Sequence, residues 1–390
     1  MNGGEEQVVL DCNKEVEGHS FFALHHLKIS QDGKKVAYTI DLDGTESYHL
    51  YVRDIQSQEK RNFSSLGAVL SVEWDASGKH LFYSCTDEMK RPWRLYRICV
   101  EDGEEGRAEL IFEEKDGAFL VDVGRTKDGK LLLLSSTSKT SSEIRYIRSE
   151  EPLSTPKLLL EREKDLQYFV EHNKGKLFFV MSRGGVRSVT CSPLEDPKEM
   201  KMVRQADAES CIEEGDLLED YMITYERKES FPFINLIDLK SSAKKQVELE
   251  DKICSVSPCM NNEMKSSTFL FQTSSPLIPQ KTWKASCEDG STKLLREVEL
   301  AVNFPFSEYM IERMMVKSHD QVEVPLTVVR SKKQKRDANS PFLMEAYGAY
   351  GINIEPQFEV EKLPLLARGW VNKNTLTVEK SLNSLCFLKK

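Results

Sequence analysis

The amino-acid sequence predicts a mainly β protein, a β-propeller followed by the first strands and helix of an α/β domain. The first observation behind this prediction is a strand–turn–strand pattern that recurs from residue 26 to about residue 285. The second is a strand, glycine-containing turn, helix and strand near the end of the chain, from Pro341 to Val371. Together they indicate an all-β repeat array joined to the opening of a different domain.

Each copy of the repeat has a short apolar strand, a tight turn with glycine, a second apolar strand and often a more polar third strand. The turn glycines of the first five copies are Gly33, Gly78, Gly129, Gly175 and Gly215, at spacings of 45, 51, 46 and 40 residues. A sixth, weaker copy turns at Asn261 and Asn262. Four-stranded blades of about 40–50 residues build β-propellers. A β-sandwich does not repeat one turn position so regularly, and β-solenoid repeats are shorter.

The segments outside the repeat set the expected domain limits. Residues 7–12 read as a lone strand with nothing upstream to pair with, so we expect residues 1–25 to be a remnant of the first blade and its lead-in. We expect the propeller blades over 26–303 and the start of the α/β domain over 304–371, because longer hairpin strands begin there. Residues 372–390 then form a divergent tail.

The α/β segment begins with the apolar run from Pro341 to Met344, which opens into small residues. Residues 358–369 predict a short helix ending at Gly369, before a strand that begins at Trp370. Since 19 residues follow Val371, we expect the chain to begin an enzyme domain without completing it. The apolar run would then have no partner strands.

The tail is expected not to pack. Its first residues are polar, and its leucines share no sustained period. We therefore expect the chain after about residue 372 to be mobile, and a chain ending at Val371 to melt within about 2 °C of the longer one.

Charge and composition exclude several partners. The net charge of −9 argues against nucleic acid and anionic membranes but suits cationic peptides. The sequence has no apolar run long enough to span a membrane and no secretory signal at its start. Nine cysteines without a C-x-x-C pair indicate reduced thiols and hence the cytoplasm. The basic residues 332–336 lie between two predicted strands, which favours a solvated loop over a nuclear localisation signal.

No nucleophile motif of an α/β-hydrolase is found in this sequence. The nucleophilic serine of an α/β-hydrolase occupies the motif G-x-S-x-G, and no two glycines in this sequence are four residues apart. The histidines are His19, His25, His26, His49, His80, His172 and His319. None has an evident Ser/Asp constellation, so structural roles are expected for all of them.

Metal and cofactor sites are not predicted either. Asp41, Asp43 and Glu46 around Gly44 faintly resemble a Ca²⁺ loop, but their spacing fails the EF-hand pattern and a polar hairpin fits better. No glycine-rich phosphate loop or zinc-ligand spacing is found, and Cys254 and Cys259 are too far apart for a zinc knuckle. We therefore expect neither metal nor cofactor.

Tyr347 is the one candidate site residue. A phenol at the tip of a strand, followed by glycine, can donate a hydrogen bond to a developing oxyanion. From the residues alone, a packing role for this tyrosine is equally consistent.

Several stretches resemble the prolyl oligopeptidase family of serine peptidases, and within it oligopeptidase B most. Residues 347–358, YGAYGINIEPQF, and 365–371, LLARGWV, are similar to the family's YGxxxxxIxP segment and the LLxRG(F/W)V that follows it. Residues 9–14 with 21–24 resemble the LLDxN…FY lead-in to the propeller. Residues 110–116 and 140–145 also resemble family stretches.

The resemblance implies a seven-bladed propeller, here incomplete, capping an α/β-hydrolase domain that cleaves short peptides, after Lys or Arg in oligopeptidase B. Tyr347 would be the side-chain oxyanion donor. Glu345 and Ala346 depart from the family's Tyr-Gly, and residues 372–390 do not resemble its VRGGGE continuation. The nucleophile, aspartate, histidine and acidic specificity residues of the family have no counterparts in this sequence.

Two functions remain open on this evidence. The chain is either a truncated member of a serine oligopeptidase family, inactive by itself, or a non-catalytic β-propeller that binds peptides or proteins. A propeller that lacks most of one blade, followed by an unfinished α/β domain, would leave unpaired sheet edges, so self-association is expected.

Overall fold

The computed structural model describes residues 7–63, 66–102, 107–207, 210–335, 340–347 and 353–375. The chain divides into two compact units, residues 1–204 and 205–390. Strands dominate both units, and each of the two described α-helices has five residues or fewer. The predicted mainly β composition is therefore confirmed.

Four antiparallel sheets make up the first unit, each formed by four strands consecutive in the chain. The strands are β1 (Ala23–Ile29), β2 (Lys35–Asp41), β3 (His49–Asp54), β4 (Lys60–Asn62), β5 (Val69–Trp74), β6 (His80–Thr86), β7 (Pro92–Cys99), β8 (Glu109–Glu113), β9 (Leu120–Arg125), β10 (Leu131–Thr137), β11 (Ser142–Arg148), β12 (Lys157–Leu158), β13 (Leu166–Asn173), β14 (Lys176–Arg183), β15 (Val186–Pro193) and β16 (Lys201–Gln205). A propeller blade is a four-stranded antiparallel meander of this kind.

Successive sheets pack face to face. Val52 and Phe63 from the first sheet share one buried core with Trp74 and Leu81 from the second. The first strand β1 also lies against β5, and β5 lies against β9. The apolar face of each sheet is therefore covered by its neighbour, as in a propeller.

The hairpin turns confirm four of the five predicted repeat positions. Gly33, Gly78, Gly129 and Gly175 each lie between the first and second strands of a sheet and have φ of 71°, 65°, 75° and 76°. Residues with side chains are strained at such φ values, which explains glycine at these turns.

The fifth predicted turn, at Gly215, is wrong. Gly215 lies inside β17 (Ser210–Leu217) and pairs with Thr224. The turn comes after Leu218, whose N–H bonds the carbonyl of Tyr221 at 2.9 Å. Leu217 and Leu218 are both buried, so burial continues the strand past the Glu-Gly pair that resembled a turn.

The lone strand predicted over residues 7–12 is also wrong. Asp11 caps the short helix α1 (Cys12–Glu15), its carboxylate accepting a hydrogen bond from the N–H of Asn13 at 3.0 Å. Val9 and Leu10 pack against the first-sheet core. The capping side chain therefore outweighs the β-branched residues before it.

The second unit has two more four-stranded antiparallel sheets and one mixed sheet. Its elements are β17 (Ser210–Leu217), β18 (Tyr221–Lys228), β19 (Phe231–Asp238), β20 (Lys244–Val247), β21 (Ser255–Pro258), β22 (Thr268–Ser275), β23 (Ile278–Ser286), β24 (Thr292–Glu297), β25 (Tyr309–Lys317), β26 (Glu323–Ser331), β27 (Phe342–Glu345), α2 (Leu363–Ala367) and β28 (Val371–Thr375). Short 3₁₀ turns in the chain are Val100–Asp102, Phe306–Glu308 and Val360–Lys362.

The mixed sheet has the order β25-β26-β28-β27 and contains the predicted strand–helix–strand unit. The strands β27 and β28 are parallel, with Phe342 opposite Val371, so the expectation that the apolar run lacks a partner strand is wrong. The last strand also continues to Thr375, and Asn372 is 4% exposed. The expected loss of packing after residue 372 is thus wrong for 372–375, because these residues form a central strand. Residues 376–390 and the predicted turn at 348–352 lie outside the described part of the chain.

Candidate functional site

The carboxyl ends of β27 and β28 lie at one edge of the mixed sheet, where α/β folds build their sites. Tyr347 follows β27 by two residues, and its side chain is 43% exposed. The residue therefore lies at the end of a parallel strand, as the sequence predicted for it. Its role as an oxyanion donor stays a prediction.

The connection from β27 to β28 is held to the sheet by charge and by apolar packing. The Nζ atom of Lys362 bonds the carboxylate of Glu345 at the end of β27 and that of Glu359, the latter at 2.7 Å. Leu363 and Leu366 of α2 are buried against Val329. The connection therefore has a fixed position where these residues contact the sheet.

A buried ion-pair network ties the same connection to β17 and β18. Arg227 is 8% exposed and bonds both carboxylate oxygens of Glu213, at 2.8 and 3.2 Å. Its Nη2 also bonds both oxygens of Glu355, at 2.8 and 2.9 Å. The N–H of Phe358 adds a 2.9 Å bond to the hydroxyl of Ser274. Residues 355–358 are thereby anchored to two neighbouring antiparallel sheets.

Burial and the neighbouring charges shift the pKa values of Arg227 and Glu355. Burial disfavours the charged form of Arg227, but Glu213 and Glu355 outweigh it and raise the pKa of the guanidinium. Burial raises the pKa of Glu355, with repulsion from Glu213 adding to the effect and Arg227 opposing it. Burial thus favours the protonated form of the Glu355 carboxyl.

Arg313, on β25, lies close to this network and has no hydrogen-bond partner. Its Nε, Nη1 and Nη2 atoms are all closed to solvent and unbonded. The guanidinium carbon lies 5.7 Å from the centre of the Phe231 ring. Burial and repulsion from Arg227 lower the pKa of Arg313 to about 10, although Glu355 opposes the shift. The group is a buried cation that lacks hydrogen-bond acceptors.

Two polar side chains on the neighbouring strands are unpartnered as well. Thr327 is directly opposite Arg313 in the β25–β26 pair and is 1% exposed, and its Oγ1 has no partner. Asn372 on β28 is opposite Val329, and its Oδ1 is buried without a partner. Since residues two apart on a strand share a face, all three groups point to one face of the sheet.

His172 is paired with an aspartate in the first unit. His172 Nδ1 lies 2.6 Å from Asp128 Oδ2, and the Asp128 carboxylate also accepts from Thr126 Oγ1 at 2.8 Å. Burial favours protonation of Asp128, but the bonds from His172 and Thr126 keep the pKa of its carboxyl below the usual value. The other ring nitrogen, His172 Nε2, is buried without a partner. In a serine peptidase triad this second nitrogen bonds the nucleophile, and no such contact is made by His172.

The faint Ca²⁺ loop is a hydrogen-bonded turn. The Asp41 carboxylate, 1% exposed, accepts from the backbone N–H groups of Asp43, Gly44 and Glu46 at 2.8–3.0 Å. Burial opposes ionisation of Asp41, but these bonds hold its pKa at about 2. The described residues contain no group of three or more His, Cys, Asp or Glu side chains that could hold a metal ion.

A cavity of about 580 Å³ opens beside the hairpin of β6 and β7. Cys85, Trp93 and Arg94 are among its lining residues. Burial raises the pKa of the Cys85 thiol to about 12, so the thiol stays protonated at neutral pH. The guanidinium of Arg94 stacks on Trp93 at 3.8 Å. Cys85 is therefore not an activated nucleophile in this cavity.

Sequence reasoning missed the group formed by Arg227, Arg313 and Glu355. The available signal was the pair Glu312-Arg313 within an otherwise apolar strand, where a charge needs a partner or a function. The contacts of Arg227 with Glu355 join residues 128 apart in the chain, a separation that no local pattern reveals.

Four-stranded meanders followed by a parallel strand–helix–strand unit define a propeller protein that continues into an α/β fold. Residues 1–298 match the family described as prolyl oligopeptidase, N-terminal beta-propeller domain. The chain belongs to the prolyl oligopeptidase family, which confirms the resemblance found in the sequence.

Individual relatives agree with this assignment. Protease 2 of Moraxella lacunata is 27% identical over 374 residues, which cover 95% of this chain and 54% of that protein. Dipeptidyl aminopeptidase BI of Pseudoxanthomonas mexicana is 24% identical, with 94% and 51% covered. The chain therefore spans about half the length of the curated relatives it matches.

Solved structures show the same fold. Oligopeptidase B from Leishmania major superposes with a TM-score of 0.85 at 22% identity, covering 95% of this chain and 54% of that one. Oligopeptidase B from Trypanosoma brucei with covalently bound antipain gives 0.84 at 22% identity, covering 96% and 55%. Among the described residues, no helix is long and apolar enough to cross a membrane.

Proposed function

We propose that this chain is the propeller portion, with the first α/β elements, of a serine peptidase that hydrolyses short peptides after Lys or Arg. The observation that carries the proposal is the family match over residues 1–298, continued by a parallel β27–α2–β28 unit. Tyr347, at the end of β27, would donate a hydrogen bond to the oxyanion of the reacting carbonyl. The net charge of −9 favours basic peptides as substrates.

The chemistry of acyl transfer requires a nucleophile, a base and an orienting acid, and we propose that this chain supplies none of them. Its sequence contains no G-x-S-x-G. The structural pair His172–Asp128 has no serine on its second nitrogen. Tyr347 by itself has no oxyanion to stabilise, so hydrolysis would depend on groups that this sequence does not contain.

Purified, protease-free chain should give no turnover of fluorogenic peptides that end in Arg or Lys. Protease 2 of Moraxella lacunata, assayed in parallel, provides the comparison for each substrate. Turnover above background that a serine-reactive inhibitor abolishes would contradict the proposal.

We also propose a cytoplasmic, reducing environment. The eight cysteines in the described residues are free thiols. Burial raises the pKa of Cys254 to about 12 and that of Cys287 to about 11, so these thiols are unreactive.

A non-catalytic peptide- or protein-binding propeller is the second candidate, favoured by apolar side chains on the edge strand β1. Leu24, Leu27 and Ile29 of this strand are 38–42% exposed. Exposed edges of this kind pair with other chains. Whichever function holds, we propose that the isolated chain self-associates through such edges.

Light scattering at micromolar concentration should therefore show species larger than a monomer. Leu27→Lys places a charge on the edge strand and should shift the population toward monomer. A monodisperse wild-type monomer with cooperative melting would contradict self-association.

A further inference from the structure

The cavity beside the hairpin of β6 and β7 lies within the first unit and has no role in the proposed peptidase chemistry. Its volume of about 580 Å³ is in the range of clefts that bind small ligands. The lining combines two aromatic side chains, Trp93 and Tyr96, with two carboxylates, Asp87 and Glu88. Such a lining can hold a planar group and a positive charge together.

Strand β7 supplies the aromatic part of the lining. The β6–β7 pairing shifts register between Cys85 and Thr86, which makes Trp93 the extra residue of a β-bulge. A bulge re-aims side chains, and here the consecutive residues Trp93 and Arg94 both line the cavity. The Arg94 guanidinium lies 3.8 Å from the centre of the Trp93 ring. This stack shows that the aromatic lining accommodates the plane of a guanidinium.

The hairpin tip supplies the two carboxylates. Asp87 Oδ1 accepts 2.9 Å hydrogen bonds from the backbone N–H groups of Met89 and Arg91, which fix the position of this side chain. Asp87 Oδ2 and both oxygens of Glu88 accept no hydrogen bond from any residue in the described part of the chain. These oxygens therefore have hydrogen-bonding capacity left for a ligand.

The basic residues of the same hairpin contact other groups. Lys90 Nζ bonds a serine hydroxyl in the β2–β3 loop at 2.5 Å, and Arg91 Nη2 bonds the carbonyl of Glu114 at 2.7 Å. Neither lysine nor arginine of this pair is a lining residue. Arg94 does line the cavity, but its Nε donates a 2.7 Å bond to the carboxylate of Glu113. The uncompensated charge of the lining is therefore negative.

We propose that this cavity binds the arginine side chain of a short peptide. The carboxylates of Asp87 and Glu88 accept the guanidinium N–H groups in charge-assisted hydrogen bonds. The guanidinium plane and its methylene stem pack on Trp93 and Tyr96, which favours arginine over lysine. The site lies wholly within the first unit, whereas Tyr347 belongs to the second. Binding here requires no catalytic group.

The test is a calorimetric titration of the purified full chain with two tripeptides. One is N-acetyl-Ala-Arg-Ala amide, and the other carries citrulline, which has nearly the shape of arginine without its charge. The arginine peptide should bind with a Kd of about 1 mM or below. The citrulline peptide should bind at least about tenfold more weakly, because hydrogen bonds between charged groups are lost.

Three substitutions locate the site on the cavity lining. Glu88→Gln and Asp87→Asn should each weaken binding of the arginine peptide about threefold. Asp87→Asn retains an Oδ1 acceptor for the hairpin bonds, so the hairpin should stay folded. Trp93→Leu should weaken binding about fivefold. Glu161→Gln is the matched control with an unchanged Kd, because this exposed carboxylate of the first unit does not line the cavity.

Equal affinities for the arginine and citrulline peptides would overturn the inference, and so would wild-type affinity in Trp93→Leu and in the double variant Asp87→Asn with Glu88→Gln. Equal weakening by Glu161→Gln would show unspecific attraction to an acidic chain in place of a site. No binding of the arginine peptide up to about 10 mM would also overturn it. Because the assay measures binding and needs no hydrolysis, its failure is separate from failure of the proposed peptidase function.

Discussion

A chain that ends at Val371 should melt at least about 5 °C below the full chain, rather than within about 2 °C of it as the sequence alone predicted, with the loss confined to the second unit. The deleted residues 372–375 belong to β28, which lies between β26 and β27. Leu326, Thr327, Val328 and Val329 all lose their partners on this strand. Losing a central strand leaves two unpaired edges and exposes the apolar groups beneath α2.

A chain that ends at Thr375 is the control, since it keeps every described pair of β28. It should melt close to the full chain by differential scanning calorimetry. Equal melting of the chain that ends at Val371 and the full chain would mean that β28 contributes no stability, and the mixed sheet would be wrong.

Arg227→Met should destabilise the second unit by about 3 kcal/mol, because removing one partner leaves two partly buried carboxylates uncompensated. The two carboxylates concerned, Glu213 and Glu355, are 32% and 29% exposed at the side chain, which places the expected cost at the lower end of the usual range. The Tm should fall by about 6 °C in a unit of this size. Denaturant unfolding measures the free energy directly.

The double variant Arg227→Met with Glu355→Gln provides the internal control. Glutamine removes the carboxylate charge that Arg227 neutralises, so the double variant should recover part of the lost stability. A single variant within 1 kcal/mol of wild type would show that the network does not anchor residues 355–358.

The repeat was predictable from sequence because it rests on local chemistry. Turns such as Asp32-Gly33 require a residue whose backbone adopts a left-handed conformation, which favours glycine. An apolar strand precedes and follows each of these turns. Prediction failed where local signals compete. The Glu-Gly pair at Gly215 resembles a turn, but the strand continues through it because the residues that follow are buried. The capped helix after Asp11 is a second case, since one carboxylate outweighs several β-formers.

The site was only partly predictable. Tyr347 was found because it ends an apolar run, which is a local feature. The group around Arg313 depends on partners from β17, β18, β26 and the residue 355 segment, which strand pairing brings together. The strand 372–375 was missed for the same reason, because it forms by backbone pairing with β26 and β27 on its two sides.

The central claim is that this chain lacks the catalytic groups of a serine peptidase. The most direct test is to label the purified chain with a serine-reactive fluorophosphonate and to measure the mass of the intact chain. We predict no labelled serine in this chain, beside stoichiometric labelling of a known serine peptidase added as a positive control under the same conditions. Stoichiometric labelling of a single serine in this chain, abolished by denaturation, would contradict the account.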